Sequence, residues 1–254
     1  MTGTRRPATI ARMRSYAEVP ARAHTVRTGV WWRPDRMGWW MGVLFGIGSS
    51  CFAVAAIASQ WASAPRPAIG VTFFVGSLFF TTAAGLQFHE AINVERGPEH
   101  LTRAAFHRWW SWEPKRIDWL AAAIQFVGTL FFNVNTFAGM QEGLTTRQEL
   151  LRVWTPDIVG SICFLVASEL AYAEVCHAWL CFKDRTRSWW IAALNMLGSI
   201  AFGVSAVTSL IVPSTDEPVS AAIANAGTTV GALCFLAGAA LLLPESAERE
   251  RVAA

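Results

Sequence analysis

Residues 119–132 read WLAAAIQFVGTLFF, and this stretch contains a pattern that recurs along the chain: Gly128, the small residue Thr129 and Phe132. The same spacing occurs six times, as Gly48-Ser49-x-x-Phe52, Gly76-Ser77-x-x-Phe80, Gly128-Thr129-x-x-Phe132, Gly160-Ser161-x-x-Phe164, Gly198-Ser199-x-x-Phe202 and Gly231-Ala232-x-x-Phe235. Self-similarity of this kind indicates one structural unit repeated along the chain. The pattern therefore predicts the architecture.

The copies of this pattern alternate between two kinds. The odd copies have a tryptophan nine positions before the glycine (Trp39, Trp119, Trp189), and the even copies have a glutamate fourteen positions after it (Glu90, Glu174, Glu245). At about 1.5 Å per helical residue these offsets span roughly 14 Å and 21 Å, and half of a bilayer's hydrocarbon core measures about 15 Å. If the glycines lie at the midplane, the tryptophans and the glutamates therefore fall at the same membrane face. This arrangement predicts helical hairpins.

The composition agrees with a membrane protein, because 53% of the residues are hydrophobic and only 15% are charged. Six apolar segments are long enough to span a bilayer: 38–61, 68–89, 118–140, 155–178, 188–212 and 221–243. Backbone polar groups in lipid need internal partners, so these segments are predicted to be α-helices. The predicted fold is an all-α membrane protein with six transmembrane helices in three pseudo-repeated hairpins.

The basic residues predict how the chain is oriented. Eighteen of the 21 lysines and arginines fall on the side where the chain begins, and only Arg66, Arg147 and Arg152 fall on the other. By the positive-inside rule both termini are cytoplasmic, in a multi-pass protein of the cytoplasmic membrane. The cytoplasmic excess of positive charge favours anionic headgroups as partners and does not favour nucleic acid.

These signals divide the chain into segments. The predicted divisions are an Arg-rich cytoplasmic tail (1–30), hairpin 1 (31–90), a cytoplasmic interfacial loop (91–117), hairpin 2 (118–178), a cytoplasmic loop (179–187), hairpin 3 (188–245) and a cytoplasmic tail (246–254). Within the interfacial loop, residues 99–112 fit either a short helix lying at the headgroup level or an irregular loop anchored by tryptophans.

The repeated glycines predict close helix packing, since small residues let two backbones approach and a phenylalanine one turn on can fill the groove between them. Unwound glycines that line an ion path are the alternative, but no paired Gly-Pro breaks occur inside the spans. On the packing interpretation we expect Gly128 and Gly198 to tolerate alanine but not leucine.

Polar residues inside the spans form the predicted intramembrane site, which comprises Glu169, Asn133, Asn135, Asn195 and Gln125. Glu169 lies fifteen residues after Trp154, about 22 Å into a helix that starts near Thr155. A carboxylate at depth is a functional candidate by default. The structural alternative is a protonated Glu169 hydrogen-bonded to Asn133 or Asn195 in the bundle core.

The cytoplasmic-end carboxylates, Glu90, Glu174 and Glu245, also allow two interpretations. They can pair with Arg36, Arg116 and Arg187 between neighbouring hairpins, which would orient the helices, or they can form an acidic ring at a vestibule.

Catalytic and cofactor signals are missing from the sequence. No nucleophile elbow, phosphate loop or H-E-x-x-H is present, so an enzyme is the least supported class. Cys176, His177 and Cys181 suit zinc by type, but their spacing fits no standard pattern. We therefore predict no metal and no cofactor. All five cysteines are interpreted as packing residues without disulfides.

The stretches GVLFGIGSSCFAV (42–54), GVTFFVGSLFFTT (70–82) and LNMLGSIAFGV (194–204) resemble the YrhK-like domain, a small two-helix membrane unit. WWSWEPKRIDWLAAAIQFVGTLFFNVNTF and PDIVGSICFLVASE are similar to uncharacterised actinobacterial multi-span membrane proteins that contain such repeats. The resemblance covers most of residues 31–244 and implies membrane hairpins, but no activity and no site residues.

Two functions fit these observations. A small-solute or proton-coupled permease-like protein needs a hydrated cavity around Glu169 and the asparagines. A non-transporting scaffold or accessory subunit needs instead a dry Gly/Phe core and an exposed cytoplasmic interaction surface. Substrate, protein partner and homo-oligomeric state stay open at this stage.

The predicted topology can be tested with single cysteines in a background that lacks the five natural ones. We expect Ser63→Cys and Ser214→Cys to react with a membrane-impermeant maleimide in intact cells. Thr102→Cys and Thr186→Cys should react only after permeabilisation. Reversal at either pair would contradict the orientation.

Overall fold

The computed structural model describes residues 31–32, 34, 36–61, 64–93, 109–179, 181–182 and 185–253, and for residues 245–253 it describes the backbone alone. It contains six long helices: α1 (Met37–Ala58), α2 (Arg66–Asn93), α3 (Ile117–Ala138), α4 (Thr146–Cys176), α5 (Arg187–Thr208) and α6 (Ala221–Ala253). A two-stranded ribbon in the α5–α6 turn pairs β1 (Ile211–Val212) with β2 (Glu217–Pro218). The predicted all-α class is confirmed.

All six helices are long and apolar enough to cross a membrane. Their outward surface is also apolar, with Val54, Val134 and Ile162 each more than half exposed. An apolar surface that runs around every helix suits lipid and not water. The chain is therefore a multi-pass membrane protein.

Helix α4 begins earlier than the sequence predicts. It starts at Thr146, where Thr145 and Gln148 form a capping box, and it passes through a π-helical turn at Leu150–Trp154 before continuing as an α-helix. Pro156 explains the turn, because it has no N–H for the carbonyl four residues earlier. The backbone N–H and the hydroxyl of Thr155 both donate to the Leu150 carbonyl instead. The predicted start at Thr155 is wrong because these groups keep the helix continuous.

The six helices form a closed ring. Each packs against its neighbours in sequence, and α1 packs against α6 to complete the circle. Neighbours run antiparallel, as contacts near both ends of α4 and α5 demonstrate: Trp154 Nε1 donates to the Ala206 carbonyl, and the Tyr172 and Trp189 rings meet at the other end. We call the end where α1, α3 and α5 begin the tryptophan end. Both the start of α1 and the end of α6 lie there.

The repeated glycines lie where two backbones nearly touch. A Cβ placed on Gly48 would lie 2.8 Å from the Phe80 ring, and one placed on Gly76 would lie 2.9 Å from the Phe52 ring. The same reciprocal relation joins Gly128 with Phe164, Gly160 with Phe132, Gly198 with Phe235 and Gly231 with Phe202, at 2.9 to 3.2 Å. The division into three repeated hairpins stays a prediction that these contacts support.

The phenylalanines of the pattern meet on the axis of the ring. All six are buried, and their rings lie 5.0 to 6.3 Å apart between centroids in the pairs 52–80, 52–202, 80–164, 80–235, 132–164, 132–202, 164–235 and 202–235. Several of these contacts are edge-to-face, the arrangement that aromatic rings prefer. The core of the bundle is therefore a layer of six aromatic rings.

The expected tolerance of Gly128 and Gly198 for alanine does not fit this packing. A Cβ at Gly128 would lie 2.8 Å from Cys163 Cβ, and one at Gly198 would lie 2.9 Å from two Phe235 ring atoms. Since neither neighbour is a flexible side-chain end, even a methyl group must push the helices apart.

We therefore expect Gly128→Ala and Gly198→Ala each to lower the free energy of unfolding by about 1 to 3 kcal/mol, because both overpack the core. Gly203→Ala is the matched control on α5, since nothing lies within 4 Å of the added Cβ. Thermal unfolding in detergent measures all three variants. Equal melting temperatures for Gly128→Ala and Gly203→Ala would contradict the close contact.

Candidate functional site

The structure does not assemble the predicted intramembrane site. Asn133 Nδ2 donates to Thr81 Oγ1 at 2.8 Å, between α2 and α3. Asn195 Oδ1 instead lies 2.9 Å from the Cβ position of Gly238, between α5 and α6. The two amides thus occupy different helix interfaces.

The other predicted members do not join them. Gln125, Asn135 and Glu169 are each half-buried, and in the described part of the chain no hydrogen bond or ion pair links Glu169 to an asparagine of the set. The postulated bond between Glu169 and Asn133 or Asn195 is therefore not formed. Among the five predicted residues, only Asn133 makes a described interhelical hydrogen bond through its side chain.

Glu169 also lies closer to the tryptophan end than expected. Ser161 is the centre of the 31-residue helix α4, so Glu169 is displaced eight residues, about 12 Å, toward that end. Half of the hydrocarbon core measures about 15 Å, which places this carboxylate near the membrane boundary. The depth of about 22 Å expected for Glu169 assumed a helix that begins at Thr155.

Asp157 is the deeper carboxylate, and sequence reasoning missed it. It lies four residues from the centre of α4, about 6 Å on the opposite side, and its side chain lies near Ser209, the residue that follows α5. Asp157 stands three positions before Gly160, the same repeat position as Gln125 and Asn195. The shared repeat position could have identified Asp157 as an intramembrane polar residue. Thr155-Pro156-Asp157 instead resembled the capped start of a helix.

Hydroxyl groups in the spans also bond between helices. Ser77 Oγ lies 3.0 Å from Thr136 Oγ1, Ser168 Oγ lies 2.8 Å from Ser199 Oγ, and Ser205 Oγ lies 2.7 Å from Thr228 Oγ1. Interhelical bonds of this kind typically contribute about 0.5 to 2 kcal/mol. These bonds join neighbouring helices of the ring, and they do not form a continuous polar path.

The layer of phenylalanines leaves little space on the axis of the ring. Its cavity has a volume of about 10 Å³ and is lined by Phe52, Ser77, Phe80, Phe132, Phe164 and Phe202. A single water needs roughly 10 to 15 Å³ and several polar partners, and this lining offers one hydroxyl, which already donates to the Phe74 carbonyl. The centre of the bundle thus has no room for a hydrated solute.

A repeated hydrogen bond organises the tryptophan end. The indole Nε1 of Trp39 donates to the carbonyl of Trp31, that of Trp119 to Ser111, and that of Trp189 to Cys181, at 2.8, 3.1 and 3.1 Å. Each acceptor stands eight residues before its tryptophan. We call these three contacts the tryptophan clasps, because each fixes the segment preceding an odd-numbered helix.

Sequence reasoning placed these tryptophans at the interface but missed the clasps. The signal was a second repeat, since WWRPDRMGW (31–39) and SWEPKRIDW (111–119) share a tryptophan, a proline, an arginine and a second tryptophan at their second, fourth, sixth and ninth positions. Trp32 packs edge-to-face on Trp39 at 5.1 Å, and Trp112 packs on Trp119 in the same way at 5.3 Å.

The second clasp includes a buried charge cluster. Arg116 is 4% exposed and forms ion pairs with Glu113, at 3.0 Å, and with Asp118. Ser111, whose carbonyl accepts the Trp119 bond, donates its hydroxyl to Glu113. A buried guanidinium needs such partners, so the cluster orders the entry into α3.

The cytoplasmic-end carboxylates and the loop between α2 and α3 are only partly described. Glu90 is exposed near the end of α2, Glu174 is half-buried near the end of α4, and the Glu245 side chain lies outside the described part. The tail 1–30 and residues 94–108 also lie outside it, so the interfacial helix at 99–112 is described only at 109–112, where the chain is not helical.

The cysteine interpretation needs one correction. Cys176 and Cys181 form a disulfide across five residues, whereas Cys51, Cys163 and Cys234 are free and half-buried in the spans. The reversal of the chain after α4 brings the two sulfurs together. Among the described residues, no three His, Cys, Asp or Glu side chains are grouped to hold a metal ion.

Comparisons with protein families, curated proteins and solved structures find no match to this chain. The resemblance to YrhK-like repeats therefore stays a prediction.

The second clasp can be tested by removing its donor. We expect Trp119→Phe, which keeps an aromatic ring but loses the indole N–H, to lower the free energy of unfolding by roughly 0.5 to 1.5 kcal/mol. Trp190→Phe is the control, since Trp190 is 43% exposed and its indole N–H makes no described hydrogen bond. Thermal unfolding with equal losses for both variants would indicate that the bond contributes nothing.

Proposed function

We propose that this protein is a non-transporting membrane scaffold or accessory subunit that acts through its tryptophan end, which the distribution of basic residues assigns to the cytoplasm. The observation that carries the proposal is the layer of six phenylalanines on the axis, with its cavity of about 10 Å³. A path for ions or solutes needs polar groups or water along its length. The lining of this cavity has one polar side chain, Ser77, and no room for a hydrated ion.

The position of the polar residues supports the same view. Asn133, Asn195 and Asp157 each face a contact between neighbouring helices, where they serve packing. Glu169 lies near the membrane boundary, where a carboxylate reaches water at little cost. No two of these groups form a relay along which a proton could move across the bundle.

The tryptophan end has the features of an interaction surface. The aromatic side chains of Trp31, Trp32, Trp109, Trp110 and Trp112 are 62 to 85% exposed, and the clasped segments 31–39 and 111–119 carry three of them. Tryptophan prefers the headgroup level of a bilayer and is also enriched where proteins bind each other. Together with the nearby arginines, this surface suits anionic headgroups and a protein partner with an acidic, apolar face.

The permease-like function is the second candidate, because Asp157 is a carboxylate about 6 Å from the centre of its span. An intramembrane acid of this kind marks a proton or cation pathway in many membrane proteins. On that alternative, the contact between Asp157 and Ser209 would have to open onto water in another conformation of the bundle.

A flux measurement separates the two functions. Purified protein in liposomes with a pH-sensitive dye inside should dissipate a proton gradient no faster than protein-free liposomes, because the axis is blocked. A protonophore added at the end of each trace verifies that the gradient was present.

Asp157→Asn and Glu169→Gln keep the shape and hydrogen-bonding capacity of each side chain while removing its titration. Under the scaffold proposal both variants behave like the parent in the flux assay. Flux in the parent that is lost in either variant, with the melting temperature unchanged, would overturn the scaffold and favour the permease.

A further inference from the structure

The third tryptophan clasp differs from the other two because it carries a covalent bond. The Cys181 carbonyl accepts hydrogen bonds from Trp189 Nε1, at 3.1 Å, and from the Tyr172 hydroxyl, at 2.5 Å. The Cys181 side chain is joined by a disulfide to Cys176, the last residue of α4. The corresponding acceptors in the other clasps are Trp31 and Ser111, which cannot form such a bond.

The chain around this bond is arranged to bring the cysteines together. His177 adopts a left-handed conformation, with φ of 51°, which ends α4 and turns the chain back. The Cα atoms of Cys176 and Cys181 lie 5.6 Å apart, within the usual range for a disulfide. Both cysteines pack against the buried cluster formed by Tyr172, Trp189 and Ala192. The bond therefore ties the end of α4 to the loop residue whose carbonyl accepts from Trp189 of α5.

The expected compartment makes this bond unusual. The loop between α4 and α5 carries Lys183, Arg185 and Arg187, and the positive-inside rule places it in the cytoplasm. Cytosolic reductants keep thiols reduced, and most disulfides that form there are transient and act in catalysis or redox sensing. A permanent structural disulfide is not expected at this end.

We propose that Cys176 and Cys181 form a thiol–disulfide redox site that locks the third clasp covalently when oxidised and leaves it held by noncovalent contacts alone when reduced. The site would take a small disulfide or the disulfide of a partner protein as its oxidant. This inference goes beyond the scaffold proposal and does not depend on it, since it concerns the state of the two sulfurs and not what the bundle holds or moves.

The chemistry is a thiol–disulfide exchange. The thiolate of one cysteine attacks a sulfur of the oxidant disulfide, its S–S bond breaks, and one oxidant thiol leaves. The second cysteine then attacks the mixed disulfide, which forms the Cys176–Cys181 bond and releases the second oxidant thiol. Two protein thiols lose two electrons and two protons, and the oxidant gains both as two thiols.

The exchange changes what holds the loop. In the oxidised form, a covalent bond and two hydrogen bonds to the Cys181 carbonyl fix Cys181 against α4 and α5. In the reduced form only noncovalent contacts remain, as in the first two clasps. The shape of one third of the tryptophan end thus follows the redox state.

Counting free thiols tests the proposal. Cells expressing the full chain are quenched with acid, and the denatured protein is labelled with a maleimide that adds a fixed mass to each thiol. We expect five adducts in untreated cells, one for each cysteine, three after the cells are exposed to a membrane-permeant thiol oxidant, matching the three free cysteines, and five again after reductant is added.

Cys176→Ser and Cys181→Ser are the matched variants, and intact-mass spectrometry separates an internal disulfide from a mixed disulfide with a small thiol. Neither variant can form the internal bond. Trypsin cleavage at Arg185 should be slower in the oxidised parent than in the reduced parent, whereas redox state should not alter cleavage of either variant.

Two outcomes of the thiol count would overturn the redox site. Five adducts under every condition would mean that the bond does not form, and three adducts even after reductant has entered the cells would mean that it is permanent. A third outcome concerns orientation: if an impermeant maleimide labels the reduced pair in intact cells, the loop is outside and the cytosolic argument fails. None of these outcomes bears on the flux assay.

Discussion

The contact between a glycine of one helix and the phenylalanine of its neighbour determines the rest of this structure. In lipid, helices gain little from burying apolar surface, so their association depends on close packing and on hydrogen bonds. A Cβ added to one glycine of a pair would lie 3.0 to 3.2 Å from the carbonyl oxygen of the other glycine. This holds for a Cβ added at Gly48, Gly76, Gly160, Gly198 or Gly231. Only a residue without a Cβ permits this approach, and it directs both phenylalanines toward the axis.

Because the phenylalanines occupy the axis, the polar groups must find partners at the sides of the helices. Ser77 with Thr136, and Ser168 with Ser199, do so between α2 and α3 and between α4 and α5. Asn133 adds a further bond between α2 and α3. The same packing that stabilises the ring thus leaves a cavity of only about 10 Å³ between the phenylalanines, which is too small for a hydrated solute.

The three clasps at the tryptophan end share one backbone contact but differ in what secures it. The first relies on ring packing between Trp32 and Trp39, the second adds the buried Arg116 cluster, and the third adds the disulfide between Cys176 and Cys181. Because only the third clasp contains a disulfide, its loop can respond to the redox state while the first two clasps stay unchanged. The redox site uses that difference.

The sequence by itself determined the number of spans, their helical nature and the residues that pack at their centre, because these follow from local apolar length and from the Gly/Phe repeat. It did not reveal where α4 begins, since a π turn before Pro156 carries the helix across an apparent cap. The depth of Asp157, the separation of Asn133 from Asn195, the clasps and the Cys176–Cys181 bond were decided by the tertiary structure alone. Each depends on which groups face one another across helices or loops, and residue spacing along one chain does not specify that.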